Sequence, residues 1–556
     1  MARMIWLPLV AALFAAAAYG LVRRRRAVRA RLRELWGKKS PVKRLEDDLV
    51  EDVAAYWRKR AETVAPGDRV DDVTWADLDM NDLFRRLDTC VSAVGSEVLY
   101  AMLRETGVPS EALGRREDII RAFRADEEAR LGVQTALLRV GRSHFHGATA
   151  YLYRPEYARP GVLYDILSLI PLLLLVGGAF FPPLLLGLIP SFCVNVVAHY
   201  RSDALWSREI RAVGHIATVL SAAGRLAKRP APEALKPEFA RIRALNRRLR
   251  SIGRWAPLCG VADAGFDSLS ALLMEYIKIA FLLNMASLRR VSGRIAAHAE
   301  ELREMYVLVG ELDALIAVAA ARETETEAVC APEFCAGRSV EFAGLIHPLV
   351  ASPVANDGAW DRNTLVTGSN ASGKSTFIKA LAINAILAQT IHTSFAGRFR
   401  MCRARVMSSM AIRDDVQSGE SYFVAEIRSL KRILDAAGEG GAVLAFVDEV
   451  LRGTNTVERI AASSAVLRRL EEGGALLMAA THDIELTRIL PNYANVHFRE
   501  TVDERGVTFD YRLRPGPSKT RNAIALLERM GFGDDIVRSA REMAARFEIE
   551  QKWPMP

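Results

Sequence analysis

A nine-residue motif between two apolar segments constrains the fold of this chain more than any other feature. A short β-branched stretch, 364–367, precedes the motif GSNASGKST at 368–376, and an apolar-periodic helix is predicted from Phe377 to about Leu387. This order of strand, glycine-rich loop and helix satisfies the pattern G-x-x-x-x-G-K-[ST] in the context that the pattern requires. Glycines let backbone N–H groups turn toward one point, and a helix start adds partial positive charge. The segment therefore predicts a phosphate-binding loop.

The positions of this loop are expected to hold ATP and its magnesium ion. Lys374 is predicted to neutralise the β- and γ-phosphates, and the hydroxyl of Ser375 is predicted to bind Mg²⁺. The other positions supply backbone N–H groups, and no metal other than Mg²⁺ is expected. The predicted nucleotide-binding residues are Gly368, Ser369, Asn370, Ala371, Ser372, Gly373, Lys374, Ser375 and Thr376.

Two further apolar segments end in residues that suit ATP hydrolysis. Residues 442–447 are uniformly apolar, as expected of a strand buried on both faces, and Asp448 and Glu449 follow at once. Asp448 is predicted to bind Mg²⁺, and Glu449 to orient or deprotonate the attacking water. A third strand, 475–480, leads to His482, whose ring is predicted to hydrogen-bond the γ-phosphate. Alternating glycines, β-branched runs and short helices from about residue 336 predict an α/β P-loop NTPase domain.

These segments resemble the ATPase domain of the MutS family. The resemblance rests on Asn370 in the loop, on the runs 448–454 (DEVLRGT) and 480–486 (ATHDIEL), and on the upstream run 346–349 (IHPL). It covers about residues 340–545 strongly and parts of the preceding helical region weakly. The resemblance implies an ABC/MutS-like fold that uses ATP and Mg²⁺.

The resemblance also implies a homodimer. Residues 414–426 are similar to the family segment whose serine reaches the ATP of the opposite subunit, and that serine corresponds to Ser421 here. Residues 516–556 resemble the family's C-terminal helical dimerisation segment. Two composite ATP sites, each completed by Ser421 of the other subunit, are therefore expected.

The chain departs from mismatch-repair members of the family ahead of the ATPase domain. We find no counterpart of the mismatch-reading domain, of its Phe-x-Glu wedge or of the connector domain. An apolar segment occupies the helical region in which those members carry a DNA clamp. These departures argue against mismatch recognition, and the chain most resembles a membrane-anchored subfamily.

The first membrane segment is predicted at the N-terminus. Met4–Val22 has no charged residue over 19 positions, close to the span of a bilayer core, and four arginines follow at 23–26. Because basic residues are retained on the cytoplasmic side, we expect an anchor with the ATPase in the cytoplasm, attached to the inner membrane. A cleaved signal peptide is the alternative interpretation.

A second apolar run spans 166–198, 33 residues without a charged side chain. Pro182 and Pro183 lie at its centre, where a helix would break. A single crossing would place the downstream ATP site outside the cell, so we predict a hairpin or a re-entrant loop in contact with lipid. A buried pair of soluble helices is the alternative. The run 269–283 is interrupted by charged residues and is predicted to be a core helix.

Net charge says little about nucleic acid. The chain has a formal charge of +9, but 23–44 alone contains 11 Lys or Arg and one acidic residue, which leaves −1 for the rest. A second basic stretch, 225–254, is the predicted DNA contact if there is one; a solvated helix face near anionic lipid is the alternative. The six cysteines lack metal-ligand spacing and predict neither a disulfide framework nor a zinc site.

The leading hypothesis is a membrane-anchored ATPase whose dimer couples ATP hydrolysis to movement of helical levers and the membrane hairpin. A membrane-tethered DNA repair or recombination ATPase is the alternative. A transporter ATPase ranks lower because the signature Leu-Ser-Gly-Gly-Gln is absent, and a scaffold would lack one of Lys374, Asp448 and Glu449. The predicted domains are an anchor at 1–22, a basic segment at 23–44, a core-like helical region at 45–155, the hairpin at 161–200, a lever region at 201–335, the ATPase domain at 336–515 and the dimerisation segment at 516–556.

Overall fold

A computed structural model places most of the chain. The residues it describes are 2–38, 47–142, 146–153, 159–259, 268–324, 328–369, 372–410, 422–451, 454–503, 506–518, 524, 527–528 and 530–550. They divide into two compact units. The helical unit comprises Met1–Ala65, Phe84–Arg104 and Ser110–Thr324, and the sheet unit comprises Pro66–Leu83, Glu105–Pro109 and Glu325–Pro556.

The N-terminal part of the chain is helical. Its helices are α1 (Ala2–Leu35), α2 (Asp47–Ala61), α3 (Asp72–Asp77), α4 (Met80–Leu87), α5 (Ala93–Arg104), α6 (Ser110–Ala125), α7 (Glu127–Leu137), α8 (His146–Leu152), α9 (Leu163–Gly178), α10 (Leu188–Ala227), α11 (Lys236–Arg248), α12 (Arg250–Trp255), α13 (Ser268–Ala280), α14 (Leu283–Ala297) and α15 (Ala299–Thr324). Every residue of α5 is buried, and α15 packs along it to form the centre of the helical unit.

A buried carboxylate joins these two central helices. Asp313 on α15 accepts hydrogen bonds from the backbone N–H of Ser92 at 2.9 Å and of Val91 at 3.2 Å, just before α5 begins. Burial raises the pKa of Asp313 to about 6, because removing a carboxylate from water disfavours its charged form. Gly95 lies against this carboxylate, and a Cβ at that position would meet Asp313 Oδ2 at 2.4 Å.

The long apolar run of the sequence forms two helices and a turn. The helix α9 ends at Gly178, a 3₁₀ turn spans Pro182–Gly187, and α10 follows as one helix of 40 residues. The predicted boundary at residue 200 therefore falls inside a continuous helix. The large apolar side chains exposed on this hairpin are Val162, Leu163, Ile166, Leu169, Leu172, Leu173, Leu175, Val176, Phe180, Phe181, Leu184, Leu185, Leu186, Ile189, Phe192, Val194 and Val197.

Among the residues that the structure describes, one stretch is long and apolar enough to cross a membrane, judged by length and composition. It is Pro182–Ala227, and 6% of its most apolar window is buried inside the protein. The predicted anchor at Met4–Val22 lies within α1, which continues without a break through the arginine cluster. Arg33 near the end of α1 pairs with Glu127 of α7 at 2.6 Å, so part of the basic segment contacts α7 within the helical unit.

The C-terminal part of the chain is an α/β domain. Its strands are β1 (Glu333–Cys335), β2 (Val340–Leu345), β3 (Asn356–Trp360), β4 (Thr364–Thr367), β5 (Arg398–Cys402), β6 (Arg405–Ser409), β7 (Val443–Asp448), β8 (Leu476–Ala480), β9 (Ala494–His497), β10 (Glu500–Asp503), β11 (Gly506–Phe509) and β12 (Arg514–Pro515). Its helices are α16 (Lys374–Ile391), α17 (Tyr422–Gly438), α18 (Thr456–Glu472), α19 (Leu486–Ile489) and α20 (Asp534–Glu550).

The strands form a six-stranded sheet in the order β12-β9-β4-β8-β7-β6 and a four-stranded sheet in the order β1-β5-β2-β3; β10 and β11 pair separately. In the larger sheet β12 is antiparallel to β9, and the other neighbours are parallel. All residues of β4, β7 and β8 are buried, as their continuous apolar sequences require. Ala480 pairs with both Val366 and Asp448, so these three strands end at one edge of the sheet.

A segment from early in the chain packs on this α/β domain. Residues Pro66–Leu83 belong to the sheet unit, although they lie within the stretch 45–155 that the sequence assigns to the helical region. Asp77 accepts a hydrogen bond from Ser408 Oγ at 2.7 Å, and Lys379 of α16 pairs with Asp79 at 2.7 Å. The segment therefore contacts both a sheet strand and the helix that follows the phosphate-binding motif.

Candidate nucleotide-binding site

The motif at 368–376 forms the connection between β4 and α16. Gly368 has φ +141° and Gly373 has φ +105°, conformations in which a side chain would be strained. A Cβ at Gly368 would also lie 2.8 Å from the carbonyl oxygen of Phe498. Both glycines are therefore needed for the path of the loop. The helix begins at Lys374, three residues before the predicted start, and it ends at Ile391.

The ammonium of Lys374 lies against the first two residues of the loop. This side chain is buried, and its Nζ donates hydrogen bonds to the carbonyl oxygens of Gly368 at 2.7 Å and Ser369 at 2.8 Å. Its Nζ is also 3.5 Å from Nε2 of His482. The loop thus concentrates positive charge next to the start of a helix, where an anion is favoured.

Glu449 and His482 meet at the same edge of the sheet. Glu449 Oε1 is 2.9 Å from His482 Nε2. The two loops are held by backbone hydrogen bonds, since Glu449 N donates to Ala480 O at 3.1 Å and Thr481 N donates to Val366 O at 3.0 Å. The strand order therefore brings together three predicted residues, Lys374, Glu449 and His482, from separate parts of the sequence.

The turn that carries Glu449 has an uncommon backbone conformation. Glu449 has φ +57° and Leu451 has φ +59°, the left-handed region that residues with a Cβ seldom adopt. Such strain costs about 1–3 kcal/mol per residue and persists where surrounding contacts enforce it. One such contact is with Glu426 of α17, whose Oε1 accepts a hydrogen bond from the backbone N–H of Leu451. The sequence indicated no role for Glu426, although it ends the segment 414–426 noted above.

A second unpredicted contact holds the loop of His482. Arg459 of α18 donates to both carboxylate oxygens of Asp483, at 2.9 Å and 2.6 Å. The hydrogen bond to this carboxylate raises the pKa of Arg459, which stays charged. Asp483 N in turn donates to Thr481 Oγ1 at 3.0 Å. A bidentate pair of this kind fixes orientation as well as distance, so it positions the backbone on either side of His482.

Three buried side-chain oxygens at this site have no hydrogen-bond partner among the described residues. They are Ser369 Oγ, Ser372 Oγ and Asp448 Oδ1. A buried carboxylate oxygen without a partner is costly, and a cation is the group that best offsets that cost. Mg²⁺ takes hard oxygen ligands, commonly one or two carboxylates together with hydroxyls, water and phosphate oxygens. Asp448, with Ser375 on the first turn of α16, therefore fits the predicted metal, and the two serine hydroxyls fit phosphate.

A cavity of about 460 Å³ adjoins the end of the loop. Gly373, Thr376 and Phe377 form one side of it and Tyr511 another. A Cβ on Gly373 would lie 3.0 Å from ring carbon Cδ1 of Tyr511, so the glycine also allows that ring to approach the loop. Asn356 holds the Tyr511 segment by donating to Tyr511 O at 3.1 Å. The volume is in the range of small-molecule sites, and its place next to the phosphate loop suits the nucleoside part of a nucleotide.

Some predicted residues lie outside the described part of the chain. They are Asn370 and Ala371 of the loop and Ser421 of the segment 414–426. Parts of the predicted dimerisation segment, residues 519–523, 525–526, 529 and 551–556, lie outside it as well. Among the described residues no group of three or more His, Cys, Asp and Glu side chains is arranged to hold a metal ion.

Comparisons with known proteins match the C-terminal part of the chain. The family described as MutS domain V matches residues 364–548. The proteins named DNA mismatch repair protein MutS from Natronomonas pharaonis and Lactobacillus delbrueckii subsp. bulgaricus are 34% and 30% identical to this chain, over 269 and 270 residues. The MutS protein from Thermus thermophilus is 32% identical over 273 residues.

Each of these alignments covers 46% of this chain and 31% or 32% of the relative. The chain therefore matches about a third of the length of these relatives. The family match at 364–548 includes the predicted phosphate loop and the strands β7 and β8. A mostly helical N-terminal region thus precedes an α/β domain of the MutS type. Through residues 364–548, which match MutS domain V, the chain is related to the MutS proteins.

Proposed function

We propose that this chain is a membrane-anchored, MutS-like ATPase that hydrolyses ATP with Mg²⁺ and couples the reaction to movement of its helical region. The observation that carries the proposal is that charged side chains meet where β4, β7 and β8 end, next to a carboxylate oxygen that has no hydrogen-bond partner among the described residues. His482 is in contact with both Lys374 and Glu449 there, and Oδ1 of the adjacent residue Asp448 is buried without a hydrogen-bond partner in the described part of the chain. This arrangement supports phosphate binding next to a group that can act on water.

Each side chain has a distinct task in this reaction. Lys374 exchanges its two loop carbonyls for phosphate oxygens, which offer a charged partner in place of neutral ones. Glu449 accepts a hydrogen bond from the attacking water and orients it, and His482 fixes the Glu449 carboxylate through the 2.9 Å contact. Bound Mg²⁺ would neutralise charge that develops on the phosphate oxygens. Asp448 and Ser375 are the residues that would hold it.

The proposed active form is a homodimer. The support is the resemblance of residues 414–426 and 516–556 to the family segments that complete the opposite site and join the subunits. Ser421 would then act on the ATP bound by the other subunit. Glu426, five residues later, contacts the strained turn of Glu449 through Leu451 N, so a change at the dimer segment has a short route to the catalytic carboxylate.

The α9–α10 hairpin is the proposed membrane contact. Apolar side chains are exposed around the hairpin, and a helix that is apolar on all sides suits either a protein core or lipid. Tyr164 and Tyr200 flank its base, as aromatic residues do at membrane interfaces. The 16 residues of α9 extend about 24 Å, less than the roughly 30 Å of a bilayer core. A re-entrant hairpin with both ends in the cytoplasm therefore fits better than two full crossings.

The helix α10 provides the proposed mechanical link. Its 40 residues extend about 60 Å as one helix, from the hairpin turn to Ala227 in the helical unit. Most buried residues of α10 lie between Ile210 and Leu226, and its large exposed apolar residues lie between Ile189 and Leu205. A rotation of the helical unit would therefore be carried directly to the membrane end of the same helix.

DNA is the second candidate partner, because the matched relatives are named DNA mismatch repair proteins. In the predicted DNA contact, 225–254, two arginines already form ion pairs with acidic residues of the helical unit. Arg241 pairs with Glu304, and Arg248 Nη1 is 3.6 Å from Glu301. Phosphate contacts there would compete with these acidic partners, so the surface favours weak, salt-sensitive binding to DNA.

The proposal is tested by the ATPase activity of the full-length chain purified in detergent. We expect magnesium-dependent turnover that Lys374→Ala abolishes, because phosphate loses its charged partner. Activity should rise with anionic lipid vesicles and stay unchanged with matched or mismatched duplex. Lys431→Ala is the matched control, since this exposed lysine pairs with Asp435 on the surface of α17. Stimulation by duplex and not by lipid would overturn the membrane assignment in favour of the DNA alternative.

A further inference from the structure

The helix α13 exposes apolar side chains that its predicted place in a soluble core would have covered. Leu273 is 62% exposed, Tyr276 is 55% exposed and Ile277 is 36% exposed. These three positions follow the i, i+3, i+4 spacing that places residues on one face of a helix. The prediction of a core helix at 269–283 was therefore wrong for this face, although Lys278 on another side of the helix is buried.

One buried side chain fastens α13 to the hairpin. Asn195 of α10 is 1% exposed, and its Nδ2 donates to Ala280 O at 2.7 Å and to Leu167 O at 3.2 Å. These carbonyls belong to the last residue of α13 and to the first half of α9. A single amide thus joins three helices. The residues on either side of it in α10, Val194 and Val196, are apolar. Polar side chains between otherwise apolar helices commonly serve as such links in membrane proteins.

The charged residues of α13 and at the base of the hairpin lie in ion pairs, and none of them belongs to the exposed face of Leu273, Tyr276 and Ile277. Lys278 is buried and lies 3.7 Å from Glu275, so its charge is partly compensated within α13. At the base of the hairpin, Asp165 of α9 pairs with Arg289 of α14 at 2.9 Å. Asp165 and Arg289 therefore pair at the base of the hairpin and Lys278 is buried, whereas Glu275 stays partly exposed.

We propose that α13 lies in the membrane interface beside the hairpin, so that α9, the first part of α10 and α13 form one three-helix lipid-binding surface. The proposal rests on the membrane attachment proposed above. A bilayer is the expected occupant because large apolar side chains are exposed on α9, on the first part of α10 and on α13, and Asn195 links all three helices. A protein partner or a second copy of the chain would cover one face. Tyr276 is the kind of residue that sits at the level of the lipid headgroups.

The test is photolabelling of the full-length protein in vesicles that contain a phospholipid with a diazirine in its acyl chain. Labelled peptides are identified by mass spectrometry. We expect label on the α13 peptide with Leu273, Tyr276 and Ile277, and on the peptides of α9 and early α10. Val457 of α18 is 78% exposed in the sheet unit and serves as the control position, where no label is expected.

The outcomes separate this inference from the function on which it rests. Label on the hairpin but not on α13 would overturn the three-helix surface and leave membrane attachment standing. Label on neither, or equal label on Val457, would overturn both. Asn195→Ala should reduce labelling of α13 while the hairpin stays labelled, because the link between the helices is lost. Cys193→Ala, at an exposed position on the same helix, is the matched control and should leave both unchanged.

Discussion

Gly373→Ala is expected to weaken ATP binding through the backbone of the phosphate loop. Gly373 has φ +105°, where a residue with a Cβ is strained by about 1–2 kcal/mol. If the loop relaxes to relieve this strain, binding ATP must restore it at the same cost. The dissociation constant for ATP should therefore rise roughly 5- to 30-fold, at about tenfold for each 1.4 kcal/mol. Contact of the new Cβ with the Tyr511 ring at 3.0 Å adds to the effect.

The matched control is Gly440→Ala. Gly440 has φ +84°, but a Cβ there would meet nothing within 4 Å, and the residue lies between α17 and β7, away from the loop. This variant should lower the melting temperature through the same kind of strain and leave ATP affinity unchanged. The assay is titration of a fluorescent ATP analogue into each detergent-solubilised protein. Wild-type affinity in Gly373→Ala would show that the loop does not need this conformation to bind phosphate.

Three further predictions concern the helical core, the dimer and DNA. The pKa of Asp313 is raised from 3.8 to about 6, so the folded chain binds this proton more tightly and stability falls as pH rises from about 4 to 6. Asp313→Asn should abolish this pH dependence, which amounts to about 3 kcal/mol between pH 4 and neutral pH. The melting temperature of this variant minus that of wild type should rise between about pH 4 and 6. A difference that does not change with pH would contradict the raised pKa of Asp313. Mixing Lys374→Ala and Ser421→Ala chains should restore part of the ATPase activity, since one composite site in each heterodimer is intact. No recovery despite measured subunit exchange would refute the shared site. Titration with matched and mismatched duplex at two salt concentrations should show weak, salt-sensitive binding without preference, and a mismatch preference of about tenfold, or 1.4 kcal/mol, would restore the repair alternative.

The elements of the site could be predicted because each has a local signature. Glycines at fixed positions and a lysine after them specify the loop between β4 and α16, and continuous apolar runs specify β7 and β8. The structure begins α16 at Lys374 and not at Phe377, because the polar first turn carries no apolar periodicity to reveal it. The break in the long apolar run at Pro182 follows from the missing N–H of proline.

The contacts between these elements could not be predicted, because they depend on the order of strands in the sheet. The 2.9 Å contact of Glu449 with His482 exists because β7 and β8 are neighbours that end together. Nothing in the local sequence marks the left-handed conformation of Glu449 or the contact of Glu426 with Leu451 N. Likewise the apolar sequence of α13 does not reveal that Leu273, Tyr276 and Ile277 are exposed, because the same residue types occur on a core face.

The most direct test of the account is the nucleotide chemistry of Glu449→Gln. Glutamine keeps the size of the side chain and a hydrogen-bonding oxygen, but it loses the negative charge that orients or deprotonates water. General-base residues contribute about 10²- to 10⁴-fold, so turnover should fall by at least about 100-fold. ATP binding should persist, because Lys374 and the loop are unchanged. The homodimer with ATP bound at its composite sites should therefore accumulate. Wild-type turnover by Glu449→Gln, measured alongside an inactive Lys374→Ala control, would contradict the assignment of the catalytic site.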